Sequence, residues 1–257
     1  MSAEKIPIRN NYGQILQGIF HKVSPAQSVM IVCHGFTLTK EHKLVGGICG
    51  QLEMNEMNSF RFDFSGNGKS GGEFGKITYS NQAMDLECVI DYFERVGFEI
   101  PRVIGHSMGG AVAIIAAGKD KRIKSVIDIA GITYPEKINL HFGKMVEESL
   151  RAGEAGFEIG GKKFMVGKEF FEDALGIDLF RTIKKVNVPI LLIYGEKDKE
   201  VSLEEMQRLF QKAYQPKGFK LFDDANHSFT KKAHLMEMAQ LCAKWIKGRT
   251  EGAAWFL

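Results

Sequence analysis

Residues 102–117 read RVIGHSMGGAVAIIAA, and this stretch decides the fold. A short apolar piece, Arg102 to Ile104, runs directly into Gly105-His106-Ser107-Met108-Gly109-Gly110. The run AVAIIAA that follows is too apolar for an exposed helix. The expectation is a buried strand, a tight turn and a buried helix. Glycines two before and two after Ser107 remove side chains that collide when a strand turns into a helix within so few residues. A serine held at such a turn faces a cleft with a helix N-terminus beneath it, a place that favours developing negative charge.

Working outward, the same alternation of strand and helix recurs. Ile15 to His21 reads as an early strand, and SVMIVC (28–33) as a strand buried on both faces. A helix is expected over 43–54, an alternating strand over 58–64, and a helix over 79–95 from the spacing of Ala83, Leu86, Ile90 and Phe93. Further strands are expected at 125–129, at PILLIY (189–194) and at 219–222, with helices at 206–213 and 232–246. Strands alternating with helices imply a mostly parallel sheet flanked by helices. The stretch 132–186 breaks the rhythm, with helical pieces at 142–151 and 168–175 around a hairpin centred on Gly160-Gly161. The reading is therefore α/β: a single domain over 1–257, with a small inserted cap of helices and a hairpin at 132–186. The tail after Lys247 is expected to be a loose end.

A serine hydroxyl needs a base, and the base needs an acid to fix its tautomer. Asp224-Ala225-Asn226-His227-Ser228-Phe229 lies between the last strand and the closing helix, which makes His227 the candidate base. Gly195-Glu196-Lys197-Asp198 follows the buried strand PILLIY, which makes Asp198 the candidate acid, with Glu196 and Glu200 as neighbours of the same chemistry. The expected catalytic set is Ser107, Asp198 and His227. An oxyanion requires preorganised N–H donors. The backbone amides of Met108, after the serine, and of Phe36, in His34-Gly35-Phe36-Thr37, are the expected pair, with Thr37 ranked below them. For a substrate pocket the candidates are His34, Thr37, Phe142, Met145, Phe164 and Met165, in a cap that also carries Phe157, Phe170 and Phe171.

Several function classes are excluded or disfavoured. Net charge is +3 with acids and bases interspersed, which gives no electrostatic case for nucleic acid or an anionic membrane. No apolar run approaches the roughly 20 residues of a membrane span, and Met1 to Asn11 lacks the apolar core of a signal peptide. The four cysteines, Cys33, Cys49, Cys88 and Cys242, have no metal-like spacing and suit a reducing compartment, so a cytoplasmic protein is expected. Gly66-Asn67-Gly68-Lys69-Ser70-Gly71 matches G-x-G-x-x-G, but Asp63 stands where a phosphate-binding loop needs glycine. It is read as a tight glycine turn. The other histidines form no ligand set, so no metal and no organic cofactor is expected. The expected partner is a small-molecule ester, and a homodimer stays open.

HGF (34–36), DFSGNGKS (63–70), GHSMGG (105–110), GEKDKEV (195–201) and NHSF (226–229) together resemble the α/β-hydrolase superfamily over nearly the whole chain. The HGFTLTKEH stretch, the DFSGNGKSGGEF loop and the short cap are most similar to bacterial feruloyl and cinnamoyl esterases, although Met108 stands where some of those carry glutamine. GHSMGG also resembles monoacylglycerol lipases and serine-aminopeptidase-like hydrolases. The resemblance implies a serine carboxylic-ester hydrolase acting through an acyl-enzyme on small aromatic, hydroxycinnamoyl or short-to-medium acyl esters. Monoacylglycerol lipase and thioesterase are the alternatives within that chemistry. A non-catalytic ligand-binding protein on the same scaffold is the alternative outside it. Epoxide hydrolases and dehalogenases carry an aspartate where Ser107 stands.

Overall fold

The computed structural model describes residues 2–98, 100–137, 143–159 and 161–250. Strands β1 (Ser2–Arg9) and β2 (Ile15–Lys22) pair antiparallel at the start of the chain. The alternation then runs β3 (Ser28–Cys33), α1 (Lys43–Met54), β4 (Ser59–Phe62), α2 (Tyr79–Arg95), β5 (Ile100–His106), α3 (Met108–Lys119) and β6 (Val126–Ile129). There the chain leaves the sheet for α4 (Lys144–Ala152), the hairpin β7 (Glu154–Ile159) and β8 (Lys162–Gly167), α5 (Lys168–Leu175) and α6 (Leu179–Thr182). It returns with β9 (Ile190–Gly195), α7 (Leu203–Lys212), β10 (Lys217–Phe222) and α8 (Lys232–Thr250).

The main sheet has the order β1-β2-β4-β3-β5-β6-β9-β10 and is parallel from β4 to β10. Its central strands are buried on both faces, and their alternate residues feed two separate cores. Met30, Val32, Ile104, Ile127 and Ile193 point to the side covered by α1 and α8, where they meet Leu44, Ile48, Leu52, Cys242 and Trp245. Ile31, Val103, Val126 and Leu192 point to the side covered by α2 and α3, where they meet Leu86, Phe93, Val112 and Ile115. Period-2 alternation in the strands thus divides one apolar run between two helical layers. Helix α3 is buried along Met108–Ala117, as its composition demands. Thr78 caps α2, its Oγ1 accepting from the Asn81 amide at 2.9 Å.

Three expectations are corrected. The N-terminal segment, read above only as lacking a signal peptide's apolar core and assigned no strand, contains β1: Ile6 and Ile8 are buried while their neighbours face out, and Pro7 is tolerated because the strand is at the sheet edge. The closing helix continues to Thr250 rather than loosening after Lys247, and Trp255, Phe256 and Leu257 lie outside the described residues. The glycine-rich loop is more than a tight turn. Asp63, fully buried, accepts from the Lys40 amide (2.7 Å) and the Lys69 amide (2.9 Å) and pairs with the buried Lys40 ammonium at 2.5 Å. That ion pair ties the loop after β4 to the loop after β3.

Candidate active site

The site lies at the C-terminal ends of β3, β5, β9 and β10, the edge where loops converge in a parallel sheet. Ser107 sits between β5 and α3 at φ 55° and ψ −121°. That conformation costs about 1–3 kcal/mol for a residue with a side chain and persists only where the surroundings enforce it. They do so here: the Ser107 amide donates to the Ile129 carbonyl at 2.9 Å, and its carbonyl accepts from the Gly110 amide at 2.9 Å. A Cβ on Gly105 would stand 2.2 Å from the Gly109 carbonyl oxygen, and one on Gly109 would stand 2.5 Å from that of His34. The two glycines therefore let the legs of the turn touch and let α3 press against the end of β3.

Asp198 and His227 arrive from the loops after β9 and β10. These loops are laced together by backbone bonds from Glu196 to Phe222 (2.9 Å) and from Lys197 to Ala225 (2.8 Å). His227 Nδ1 lies 2.8 Å from Asp198 Oδ2, and His227 Nε2 lies 2.9 Å from Ser107 Oγ. The Asp198 side chain is fully buried, and its other oxygen accepts the amides of Glu200 (2.8 Å) and Val201 (3.1 Å). The structure thus brings Ser107, His227 and Asp198 into one continuous chain. Glu196 points elsewhere, accepting from the Asp224 amide at 3.0 Å, and Glu200 is an exposed residue at the cavity rim.

Two further histidines brace this arrangement. His34 Nε2 accepts from the Phe64 amide at 3.2 Å, so its Nδ1–H donates to the Gly35 carbonyl at 2.8 Å. Burial lowers its pKa to about 4 and keeps the ring neutral. His106, lowered to about 3 chiefly by burial, donates from Nε2 to the His227 carbonyl at 3.0 Å and so ties the strand before Ser107 to the histidine loop. Met108 opens α3, so its amide is among those without an acceptor in the preceding turn. Phe36 lies in the turn closed by Leu38 N–H to the Gly35 carbonyl at 3.1 Å, with Thr37 at φ 60°. Beneath α3, Asp128 is fully buried and neither of its oxygens reaches a hydrogen-bond partner. Burial pushes its pKa up to about 8, and the neighbouring Gly131 amide offsets this only in part.

A cavity of about 340 Å3 opens beside Ser107 and His227. Of the pocket candidates Thr37 lines it, and so do Phe36 and Met108, named above as oxyanion donors. Four expected pocket residues do not. His34 lies below it, held by the bonds above. Phe164 sits behind Phe157 (5.4 Å between ring centres) and against Phe74 (4.9 Å), where it packs the hairpin onto the core. Met145 packs against the main core, and Met165 is 45% exposed on the hairpin's outer side. Phe142 lies outside the described residues. The walls come instead from Leu38, Tyr79, Ile132, Tyr134, Pro135, Ile159 and Phe170. Among the described phenylalanines of the cap, Phe170 reaches the cavity. Tyr79 and Tyr134 stand in helical and turn contexts that carry no sequence signal of a cavity wall. Among the described residues no group of three or more His, Cys, Asp or Glu is placed to hold a metal ion, and no helix is long and apolar enough to cross a membrane.

Comparison with known proteins agrees with this architecture. Residues 24–151 match the family model described as serine aminopeptidase, S33, and residues 177–246 match that of the dienelactone hydrolase family. Est1E from Butyrivibrio proteoclasticus, solved with ferulic acid bound, superposes with a TM-score of 0.84 at 21% identity, covering 96% of this chain and 99% of that one. An esterase domain from Rhodothermus marinus gives 0.73 at 24% identity, covering 96% and 98%. The chain has the α/β-hydrolase fold, and each of the two family models matches one part of it. It is also 28% identical over 148 residues to an uncharacterised 31.7 kDa Escherichia coli protein encoded between traX and finO, a match over 56% of this chain. The match spans about half the length of that curated relative (50%).

Proposed function

We propose that the chain is a serine carboxylic-ester hydrolase that works through an acyl-enzyme on aromatic or short-to-medium acyl esters. The observation that carries the reading is the unbroken Asp198–His227–Ser107 chain at the edge of a largely apolar cavity. In this mechanism His227 Nε2 takes the proton as Ser107 Oγ attacks the ester carbonyl. Asp198 holds Nδ1–H and stabilises the imidazolium. The amides of Met108 and Phe36 receive the oxyanion. His227 returns the proton to the departing alcohol, and a water deprotonated by the same nitrogen releases the acid. The excursion between β6 and β9 acts as a cap over 132–186 within a single domain, supplying Ile132, Tyr134, Pro135, Ile159 and Phe170 to the acyl pocket. The ferulic acid held by Est1E supports an aromatic acid as one occupant. Four free, buried cysteines support work in a reducing, cytoplasmic compartment.

The test is hydrolysis of p-nitrophenyl esters from acetyl to decanoyl, methyl ferulate, a monoacylglycerol, a thioester and an amide, by the wild type and Ser107→Ala. Turnover of methyl ferulate above the aliphatic esters, lost in Ser107→Ala, is the expected result. A preference for aliphatic chains would make the protein a general esterase or monoacylglycerol lipase. Equal turnover by Ser107→Ala would refute the mechanism. Silence on every substrate, with no labelling of Ser107 by a serine-directed phosphonate, would make it a ligand-binding protein.

A further inference from the structure

The turn that carries the Phe36 amide has a conformation its own residues do not favour. The Leu38 amide donates to the Gly35 carbonyl at 3.1 Å, closing a four-residue turn over 35–38. Thr37 has φ 60°, whereas Phe36 is not among the residues of positive φ, so the turn is of type II and Thr37 stands where that type calls for glycine. A β-branched residue in the left-handed region is an outlier that costs about 1–3 kcal/mol and persists only where the surroundings enforce it. Thr37 does not enforce it by itself. Among the described residues, neither its amide, its carbonyl nor its hydroxyl makes a hydrogen bond.

The enforcement comes from the two ends of the loop, and both ends are gripped by one pair of adjacent residues, Asp63 and Phe64. At the near end the Phe64 amide donates to His34 Nε2 at 3.2 Å, and Gly35 is pressed against the serine turn, where a Cβ on it would stand 3.1 Å from both Ser107 Cβ and His106 Nδ1. At the far end Lys40 is bound twice to Asp63, by its amide to Oδ1 (2.7 Å) and by its ammonium to Oδ2 (2.5 Å). The Lys40 carbonyl accepts from Arg61 at 2.7 Å, and Glu41, 3.9 Å from the ammonium, is the other charge near it. Lys40 is 4% exposed and Asp63 fully buried, so water does not compete for this anchor. With Gly35 and Lys40 both fixed, the four residues between them have few ways to span the gap. Freed at Lys40, Thr37 can relax to negative φ. The peptide joining Phe36 to Thr37 then turns over, and the neighbouring Phe36 N–H loses its aim.

We propose that Lys40 is a positioning residue of the reaction: its buried double bond to Asp63 holds the strained Thr37 turn, and through that turn it aims the Phe36 amide at the oxyanion. This rests on the ester-hydrolase reading given above. Lys40 touches no reacting atom, so its effect belongs to the tetrahedral state and not to the binding of the planar ester.

The experiment measures kcat and KM on a p-nitrophenyl ester for the wild type and Lys40→Met, with circular dichroism confirming that the variant is folded at the assay temperature. Two inhibitors of one shape are compared in parallel: a trifluoromethyl ketone, which Ser107 converts to a tetrahedral adduct, and the corresponding methyl ketone, which stays planar. The expected result is a loss of about a hundredfold in kcat with KM within about threefold, and a similar loss in affinity for the trifluoromethyl ketone alone. The loss is also expected to shrink when Lys40→Met is made together with Thr37→Gly, because glycine takes positive φ without strain. If Lys40→Met does not fold, Lys40→Gln, whose NH2 can still donate to Asp63, takes its place in every measurement. A folded variant with kcat within threefold of wild type overturns the proposal. So does equal weakening of the two ketones, or a loss of the same size with and without Thr37→Gly. A wild type that neither binds the trifluoromethyl ketone nor is labelled at Ser107 by a serine-directed phosphonate overturns the hydrolase reading, and the proposal with it.

Discussion

Replacing Asp198 by asparagine tests the site at the point where its geometry is most constraining. The Asp198 oxygen that faces away from His227 accepts two backbone amides, from Glu200 and Val201. In Asp198→Asn that place must be taken by the amide oxygen, because an NH2 group there would face two donors. The NH2 is then forced onto the side of His227 Nδ1, 2.8 Å away in the native chain. It can only donate, so Nδ1 becomes the acceptor and the ring proton moves to Nε2. Nε2 then points a proton at Ser107 Oγ and can no longer receive one. A change of tautomer of this kind costs about 10,000-fold in kcat, roughly 5.5 kcal/mol of barrier. Glu196→Gln is the control. Glu196 is exposed, accepts the Asp224 amide through an oxygen that glutamine keeps, and loses only an exposed 3.8 Å ion pair with Lys197, so activity should stay within about threefold. The assay is kcat/KM on a p-nitrophenyl ester, normalised by phosphonate titration of Ser107. A loss below about tenfold in Asp198→Asn, or an equal loss in Glu196→Gln, refutes the assignment of the acid.

Ser107→Ala should cut ester turnover at least about a thousandfold while leaving the far-ultraviolet circular dichroism unchanged, so a turnover within tenfold of wild type would remove the nucleophile from the scheme. Lys40→Met leaves the fully buried Asp63 carboxylate without its cation, and urea denaturation should show a loss of about 3–5 kcal/mol; a loss under 1 kcal/mol would mean that backbone amides alone satisfy the carboxylate. Asp128 is raised to about 8 in the folded chain from about 4 when unfolded, so the folded state holds its proton across that window and stability falls as pH rises through it. Asp128→Asn should lose this slope and gain on the wild type between pH 5 and pH 9 in thermal unfolding; parallel pH profiles for the two proteins would contradict it.

Much of the sheet was legible because its central strands are continuous apolar runs. SVMIVC and PILLIY can only be buried on both faces, and the helix after Ser107 is apolar all round. The candidate site was legible for a related reason: each of its members follows the end of a strand, and Ser107 stands between Gly105 and Gly109, whose spacing answers to sterics rather than to chemistry. β1 was not legible, because an edge strand buries only every second residue and Ile6 and Ile8 make too short an alternation to outweigh Pro7 between them and the charges on either side. The pocket walls were the least legible part. Phe164, Phe170 and Tyr79 are all aromatic residues in amphipathic contexts, and only the angle at which the hairpin and α5 meet the sheet decides that Phe170 and Tyr79 face the cavity while Phe164 does not. That angle is set by contacts between distant segments, such as the Phe36–Phe157 stack at 5.6 Å, which no local pattern encodes.

The excursion between β6 and β9 has a consequence for how such a protein changes over time. Ser107, Asp198 and His227 are all fixed by strand ends and by the loops laced to them, whereas Ile132, Tyr134, Pro135, Ile159 and Phe170 belong to a segment that leaves the sheet after β6 and rejoins it at β9. Part of the cavity wall is thus inherited on a stretch of chain separate from the loops that hold Ser107, Asp198 and His227, while Phe36, Leu38 and Tyr79 stay with the sheet and its helices. A lineage can rewrite the first part by insertion, deletion or exchange and so reshape the cavity without disturbing the three hydrogen-bonded side chains.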